Sequence, residues 1–525
     1  MSAAQFQQIL PGLSRWRSGL EGAQHPVNSY LWKRGKDVVL IDPASDLTPV
    51  ALGEQQVTDI LITHLQEENA AGCMNFTGVR IHVPAGDEDL CQGAAAYETL
   101  VTPWPPPWTW ETRGNYRGHV AGARNERPLR QAVRLAEPLQ PGPLMLSCEI
   151  VATPGHGKNA VTILARIGGE RVAFCGDLIY GDGQLWNWFD AEWDYGLESG
   201  QRALRQSALR LKESGATLLC PTHGPVVRAP RAALDRLCAR LGPILDPVDE
   251  PFDAVPFTVA DEPSPAPGFR RLLPALHQYA RTPGNCNVLV SASGHALMVD
   301  DGLCEWIPIS ERDKHHRKVI AEMKASLGIR RIEIVIPTHY HGDHLENIRD
   351  LVAMEGCEVV CLDAVAEVIE HPERFNLACP LPWYGTNHAT VKIDRWIRSG
   401  TRLRWREFEL EIFHLGGQTY YHAGIDVRIG GKRVLFVGDA MGAPTPACEP
   451  VLCYNDGDPV TRGWLYAVER MIEREPEVLV CGHAVAVRQP MALLLRKRSA
   501  WKKRIEQFRA LCPRADLRQW FDPFS

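Results

Sequence analysis

Short apolar runs that end in polar residues recur along this chain. Examples are residues 37–42 (DVVLID), 59–64 (DILITH) and 332–339 (IEIVIPTH). Their content of Val and Ile is typical of buried strands, whereas residues 200–213 and 461–474 show the spacing of amphipathic helices. Strands interspersed with helices predict a mixed α/β fold of the α+β type. We expect the functional residues at the polar ends of these strands.

The length of the chain predicts more than one domain. A single hydrophobic core rarely grows beyond roughly 250–300 residues, and this chain has 525. Residues 246–268 (DPVDEPFDAVPFTVADEPSPAPG) are rich in proline and acidic residues, which disfavour both a helix and a central strand. We interpret this segment as a linker between a domain at 1–245 and a domain at 269–525.

An internal repeat relates the two predicted domains. Residues 167–177 (IGGERVAFCGD) match residues 429–439 (IGGKRVLFVGD) at eight of eleven positions, 262 residues apart. Other polar residues pair at similar spacings, namely Asp42 with Asp300, His64 with His339, His156 with Gln418, and His223 with His483. This repeat predicts a tandem duplication of one fold.

Composition and charge exclude some classes of protein. With a net charge of −6, the chain lacks the excess of basic residues typical of a protein that binds nucleic acid. Residues 496–504 are the one dense cationic run, and we interpret them as a solvated helical face. Residues 1–22 lack the apolar core of a signal peptide, and no window resembles a membrane span. With 15 cysteines and no C-x-x-C pair, we expect reduced thiols, a cytoplasmic location and no membrane association.

A dense group of potential metal ligands follows the apolar run at 332–339. His339, His341, Asp343 and His344 lie within the six residues HYHGDH. A single histidine is more often a hydrogen-bonded core residue than a ligand, but four donors at one strand end have few structural roles. Imidazole nitrogen and carboxylate oxygen together suit zinc, with iron or manganese as other possible occupants.

This six-residue motif resembles the signature of the metallo-β-lactamase superfamily. Gly438-Asp439 and Cys481-Gly-His483 follow in the order of the later motifs of that family, so the resemblance extends over residues 284–487. It implies an αββα sandwich whose metals are bound by loops that follow strands. Because of the repeat, we expect two such metallo-β-lactamase-like sandwich domains in tandem, the N-terminal one degenerate.

The resemblance also implies a set of ligands for two zinc ions in the C-terminal domain. His339 and His341 would bind the first ion, and Asp439 would bridge both ions. The ligands of the second ion would be Asp343, His344 and His483.

One position departs from the family pattern. The family has a further histidine for the first ion in a Gly-His-Thr type of loop, and this chain has Gln418 between Gly417 and Thr419. An amide oxygen is a weaker ligand for zinc than an imidazole nitrogen. His422 and His414, each four residues from Gln418, are candidates to complete the site, with His422 slightly favoured. Both histidines could equally lie outside the ligand set.

Hydrolysis is the chemistry that such a metal supports best. A metal with an open position lowers the pKa of bound water to about 7, so a metal-bound hydroxide, positioned by Asp439, would attack an ester-like, phosphodiester or sulfate ester small molecule. Asp343 could accept a proton. The chain has no Gly-x-Ser-x-Gly elbow or P-loop at a useful place, so water is the expected nucleophile.

Two other functions stay open. Some members of the superfamily hold iron and are oxidoreductases or dioxygenases, and the fold alone does not exclude that chemistry. A binding or scaffold protein with vestigial ligands is the third possibility.

The first domain has lost most of the six-residue motif. Its equivalent reads HLQEEN at 64–69, although His156, Asp177 and His223 stand at matching places. In one interpretation this domain is a non-catalytic copy that supports the second as a pseudo-dimer, with further oligomers possible. In the other, His64, His156 and Asp177 form a mononuclear site with two histidines and one carboxylate, which suits iron(II). This half distantly resembles sulfur-metabolising dioxygenases that hold iron at these positions.

Two aromatic stretches lie near the site predicted for the first domain. They are residues 103–110 (PWPPPWTW), and Trp186, Trp188 and Trp193 further along. They would form a lid or an interdomain contact that holds an apolar substrate or a partner, or, as we favour, simply pack against the other half. We assign them no catalytic role.

Overall fold

The computed structural model describes residues 6–18, 27–53, 55–93, 131–144, 147–186, 188, 191, 199–246, 262–279, 286–302, 307–374, 381, 390–442, 463–483 and 486–512. These residues form two compact units. The first contains the described residues up to 246 together with 506–512, and the second contains those from 262 to 505.

The first unit contains two sheets. One has six strands, Gln7–Leu10, Leu13–Arg17, Asn28–Arg34, Asp37–Ile41, Asp59–Leu61 and Arg80–His82, which lie side by side in chain order. The other has five strands, Gly142–Leu144, Cys148–Ala152, Val161–Ile167, Glu170–Phe174 and Leu218–Cys220. Its helices are Pro49–Leu52, Glu67–Ala70, Ser199–Glu213 and Pro230–Leu245, with 3₁₀ turns at Ala71–Asn75 and Glu88–Cys91.

The second unit also contains two sheets. Eight strands form the larger one, Glu262–Pro263, Phe269–Leu273, Leu276–Tyr279, Asn287–Val290, His295–Val299, Arg331–Ile336, Glu358–Leu362 and Arg395–Ile397. Six strands form the other, Thr401–Trp405, Phe408–His414, Ala423–Ile429, Lys432–Gly438, Val478–Cys481 and Val487–Arg488. Its helices are Ile309–Leu327, Gly342–Leu345, Ile348–Glu355, Asp363–Glu370 and Trp464–Glu473, with a 3₁₀ turn at Pro372–Arg374. The helix Met491–Leu511 begins in this unit, and its residues from 506 onward belong to the first unit.

The two sheets of each unit share a hydrophobic core. In the second unit, Leu297 and Val335 from the larger sheet lie in the same buried cluster as Ile425 and Phe436 from the smaller one. In the first unit, one cluster likewise joins residues of both sheets, among them Tyr30 and Phe174, whose rings lie 5.5 Å apart. The fold is therefore mixed α and β, as the alternation of apolar runs and amphipathic stretches predicts, with four sheets in all among the described residues.

The same strand registers occur in both units. Val172 pairs with Ala165 in the first unit, and Val434 pairs with Val427 in the second, so both partners are displaced by 262 residues. Each of these hairpins is followed by a parallel neighbour, Leu218–Cys220 in one unit and Val478–Cys481 in the other.

Other sequence-based expectations fall partly outside the described residues. Most of the predicted linker, residues 247–261, lies outside them, and Glu262–Pro263 at its end forms an edge strand paired with Phe269–Leu273. The aromatic stretch at 103–110 and Trp193 also lie outside them. In the part of the chain that is described, no helix is long and apolar enough to cross a membrane.

Candidate metal centre

A buried aspartate organises the ligand loop of the second unit. Asp300 follows the strand His295–Val299 and has a positive φ of 58°. Its Oδ1 atom accepts a hydrogen bond of 2.7 Å from the backbone N–H of Thr338, and its Oδ2 atom accepts one of 2.9 Å from the Thr338 hydroxyl. This pair fixes the chain just before the HYHGDH motif begins.

These hydrogen bonds decide which nitrogen of each imidazole faces the site. A carboxylate only accepts hydrogen bonds, so the Thr338 hydroxyl gives its one hydrogen to Asp300 and accepts from Nδ1 of His339, 3.0 Å away. Nδ1 of His344 in turn donates to Oδ2 of Asp300, at 2.9 Å. In both histidines Nδ1 therefore carries the hydrogen, and the lone pair of Nε2 is available to a metal.

The structure brings five of the predicted residues into two adjoining groups. One group consists of His339, His344 and Asp439, and the other of Asp343, His344 and His483. Within each group the potential ligand atoms all lie within 4.8 Å of one another. Because the strands Arg331–Ile336, Lys432–Gly438 and Val478–Cys481 all end here, residues far apart in the sequence meet at one place.

Asp439 belongs to one group and also contacts the other. Its Oδ1 lies 3.4 Å from Nε2 of His344, and its Oδ2 lies 2.9 Å from Nε2 of His483 and 3.8 Å from Nε2 of His339. His483 is also 3.2 Å from Oδ2 of Asp343. This carboxylate of Asp439 is thus the group on which three imidazoles converge.

A glycine is required where the loop that carries His483 passes Asp439. A Cβ atom built on Gly482 would lie 2.0 Å from Oδ1 of Asp439 and 2.8 Å from Cε1 of His344. Any other residue in the Cys481-Gly-His483 motif would therefore displace these two ligands.

Four of the five grouped side chains are buried. Those of His339 and His344 are fully buried, whereas that of His483 is 43% exposed. His483 is therefore the member of the two groups that is most exposed to solvent.

Charge fixes the protonation of the two acidic residues. Burial raises the pKa of Asp343, but the neighbouring His344 and His483 outweigh that effect and lower it to about 2. The same two histidines hold the pKa of Asp439 well below its usual value, against the effect of burial. Burial together with the neighbouring imidazoles also lowers the pKa of His339.

The donor atoms fit a transition metal. Nε2 of His339 and of His344, and Oδ1 of Asp343 and of Asp439, are buried and make no hydrogen bond with any described residue. Such atoms cost free energy unless a ligand satisfies them, and imidazole nitrogen with carboxylate oxygen is a donor set that zinc prefers. The residues present therefore fit the metal that the sequence predicts.

Other predicted residues lie near these groups without belonging to them. The ring of His341 lies 4.5 Å from that of His339, but His341 belongs to neither group. Gln418 is half-buried, and its role as a ligand stays a prediction. Nε2 of His422 accepts a hydrogen bond of 3.2 Å from the N–H of Asp439, while its Nδ1 donates to the carbonyl of Ala423. For His422 to bind a metal, the bond to Asp439 would have to break.

His414 turns away from the groups. Its Nε2 lies 2.7 Å from the carbonyl of Tyr420, which it meets as a hydrogen-bond donor. The roles of His414 and His422 as ligands stay predictions.

The first unit contains a third group of potential ligands. Nε2 of His64 and Nε2 of His156 each lie 3.6 Å from Oδ2 of Asp177, and all three side chains are buried. His223 does not join this group. It holds Asp177 through its backbone N–H at 3.0 Å and through Nδ1 at 2.7 Å.

A family model decides the classification of the second unit. Residues 280–483 match the model described as the metallo-beta-lactamase superfamily. This region is a metallo-beta-lactamase superfamily domain. The resemblance expected from the HYHGDH motif is thereby confirmed for the C-terminal half.

Solved structures similar to the chain include several metallo-beta-lactamases. One from Cronobacter sakazakii, described by its HARLDQ motif, is 16% identical with a TM-score of 0.36, and the match covers 46% of this chain and 96% of that one. A subclass B3 enzyme of Bradyrhizobium japonicum is 17% identical with a TM-score of 0.33, covering 46% and 96%. A family protein from Thermus thermophilus is 20% identical with a TM-score of 0.34, covering 46% and 85%. The comparison with curated proteins found no match.

In the metallo-beta-lactamase domain, the sequence patterns predict the ligands but not the residues that orient them. Asp300 stands out in the sequence only as the repeat partner of Asp42, and no pattern marks Thr338. A signal is present, because both units place an aspartate after one strand and a Thr-His pair after the next, as at Thr63-His64 and Thr338-His339. The hydrogen bonds between these residues require the parallel pairing of the two strands, which the sequence does not state.

Proposed function

We propose that the second unit is a metal-dependent hydrolase. The observation that carries this proposal is the convergence on Asp439 of His339, His344 and His483, each with Nε2 directed at the carboxylate. Oδ1 of this buried carboxylate has no hydrogen-bond partner among the described residues, which packing alone does not explain, and the surrounding donor set suits zinc.

Two zinc ions fit the arrangement better than one. The two groups share His344, whose Nε2 has a single lone pair and can serve only one ion. If His344 binds with Asp343 and His483, then His339 and its neighbour His341 are left for the other ion. Asp439, with two oxygens, can bind both. This assignment is the one that the family resemblance implies.

The protein residues supply binding and orientation. A zinc ion held by these residues would lower the pKa of a coordinated water to about 7 and would act as a Lewis acid. Aspartate side chains are ionised at neutral pH, so Asp343 and Asp439 would orient an attacking water by accepting its hydrogen bonds. The buried side chains of His339 and His344 keep bulk water away from one side of the site.

The substrate is proposed to be a small molecule with an ester-like, phosphodiester or sulfate ester bond. Because His483 is the exposed member of the ligand groups, we expect the substrate to approach past it. These three classes share an electrophilic centre that water can attack and a leaving oxygen that a metal can stabilise.

The repeated registers support a further part of the proposal. The strand pair Val172–Ala165 in the first unit corresponds to the strand pair Val434–Val427 in the second. Both residues of the pair are shifted by the same 262 residues as the sequence repeat. We therefore propose that the two units arose by tandem duplication and that each is an αββα sandwich with its two sheets face to face.

A panel of chromogenic carboxylic esters, phosphodiesters and sulfate esters tests the activity. The wild-type chain is expected to turn over at least one class, and Asp439→Ala to abolish that turnover. Asp59→Ala, which changes a buried aspartate of the other unit, is the control for nonspecific damage. Iron in the protein with no hydrolysis would favour the oxidoreductase alternative, and absence of any bound metal would favour a binding or scaffold protein.

A further inference from the structure

The first unit contains a buried group that the family match does not cover. His64, His156 and Asp177 lie before residue 280, where the matched region begins. Each of the three side chains is at most 3% exposed. The two Nε2 atoms lie at equal distances of 3.6 Å from the same oxygen, Oδ2 of Asp177.

A chain of hydrogen bonds turns the lone pair of His64 toward this group. The hydroxyl of Thr63 donates to Oδ2 of Asp42 at 2.7 Å and can therefore only accept from Nδ1 of His64, 2.9 Å away. Nε2 of His64 is consequently the unprotonated nitrogen, and it faces Asp177 at 3.6 Å. The matching residues orient His339 in the same way in the second unit.

The carboxylate of Asp177 is held in place by His223. Two hydrogen bonds from His223, one from its backbone and one from Nδ1, engage the two oxygens of Asp177. The ring of His223 is itself stacked on Trp186, with 4.2 Å between centroids and an angle of 2° between the planes. This support of a ligand by a fixed neighbour is the arrangement found around metal-binding residues in proteins.

The two distances to Oδ2 of Asp177 fit a single metal ion, and the three potential ligand atoms all lie within 4.8 Å of one another. Ligands about 2.0–2.2 Å from a tetrahedral ion lie roughly 3.4 Å from each other, close to the observed 3.6 Å. The amide oxygen of Gln66 lies 3.2 Å from Nε2 of His64, near enough to add a weak fourth ligand. Two imidazoles and one carboxylate suit iron(II) or zinc.

We propose that the first unit binds a single divalent transition ion, iron(II) or zinc, through Nε2 of His64, Nε2 of His156 and the carboxylate of Asp177. The ligand that the two groups of the second unit share has no counterpart here. Asn69 stands where the other unit has His344, and its side-chain amide donates instead to the carbonyl of His64 at 2.9 Å.

Metal content of the full-length chain tests this site separately from the hydrolase site. In an Asp439→Asn background, which disables the second unit, we expect one equivalent of bound ion after incubation with zinc or, anaerobically, with iron(II). Adding His156→Gln should remove it. The matched control is His82→Gln, a buried histidine that lies 3.1 Å from Asp59 and outside the group. Equal metal content with and without His156→Gln would overturn the proposal.

Two further measurements guard against misfolding as the explanation. Circular dichroism should show the same secondary structure for the His156→Gln and His82→Gln chains. His223→Gln should keep the ion but weaken its affinity about 10–100-fold in a chelator titration, since it removes the support of Asp177 and no ligand. An unchanged affinity would contradict the role of His223 as a positioning residue.

Discussion

Nδ1 of His344 lies 2.9 Å from Oδ2 of Asp300, and both side chains are buried. The same carboxylate holds the hydroxyl of Thr338, which in turn accepts from His339. One buried aspartate therefore sets the orientation of two proposed zinc ligands, although it belongs to neither ligand group itself.

Replacing Asp300 with asparagine should weaken zinc binding in the second unit. The amide nitrogen cannot accept the hydrogen of His344, so the ring loses its orientation, and affinity should fall about 10–100-fold in a chelator titration. Asp42→Asn is the matched change in the first unit and should leave the second unit's affinity unaltered. Equal losses in both variants would contradict a local role for Asp300.

Turnover should depend on Asp439 and not on His64. Asp439→Ala removes the carboxylate on which three imidazoles converge, and we expect activity to disappear. His64→Ala alters only the first unit and should leave activity largely intact. Steady-state assays with any substrate found in the chromogenic panel make the comparison. Similar losses in the two variants would show that the first unit is catalytic.

His422 and Gln418 test how the first zinc ion is completed. If His422 is a ligand, His422→Ala should release one ion, and Gln418→His should change little. If His422 instead only holds the N–H of Asp439, as its 3.2 Å hydrogen bond indicates, His422→Ala should keep both ions with lower affinity. Gln418→His should then add a nitrogen ligand and tighten the first ion. Metal stoichiometry of both variants distinguishes the outcomes.

A buried histidine away from the metal groups should make stability depend on pH. His316 lies between Asp301, at 3.1 Å, and Asp350, at 2.8 Å. Burial lowers its pKa, but the two carboxylates outweigh that effect and raise it to about 9. Since the folded-state pKa exceeds the usual 6.5, the stabilisation is complete below pH 6.5 and is lost as the pH rises through 9.

Urea unfolding of His316→Gln measures this contribution. A shift of this size corresponds to roughly 3 kcal/mol. The difference in unfolding free energy between wild type and variant should be largest near pH 6 and should shrink by about pH 9. A difference that grows over this range would contradict the assignment.

The sequence predicts the ligands better than their supports. HYHGDH, Asp439 and His483 stand out because each follows an apolar run, and three converging strands bring them together. The part played by Asp300 depends on a positive φ and on strand pairing, neither of which a single sequence displays. The position of His422 is also hard to predict, because its bond to Asp439 joins a residue that precedes one strand to a residue that follows its paired neighbour.

The cationic run at 496–504 is not the fully solvated helical face that the sequence pattern predicts. The sequence pattern favours a solvated face for the run at 496–504, yet Lys497 and Arg504 are buried, as is the interleaved Trp501. Residue type alone favours solvent for lysine and arginine, whereas tertiary packing along the helix Met491–Leu511 decides which of them are enclosed.

The metal content of the second unit tests the central claim most directly. A His156→Gln chain, purified without chelator so that the first unit's site is disabled, should carry at least one equivalent of zinc, iron and manganese combined, and Asp439→Ala in that background should lose most of it. Far less than one equivalent in the His156→Gln chain, together with failure to bind supplied zinc, would contradict the claim that His339, Asp343, His344, Asp439 and His483 form a metal site.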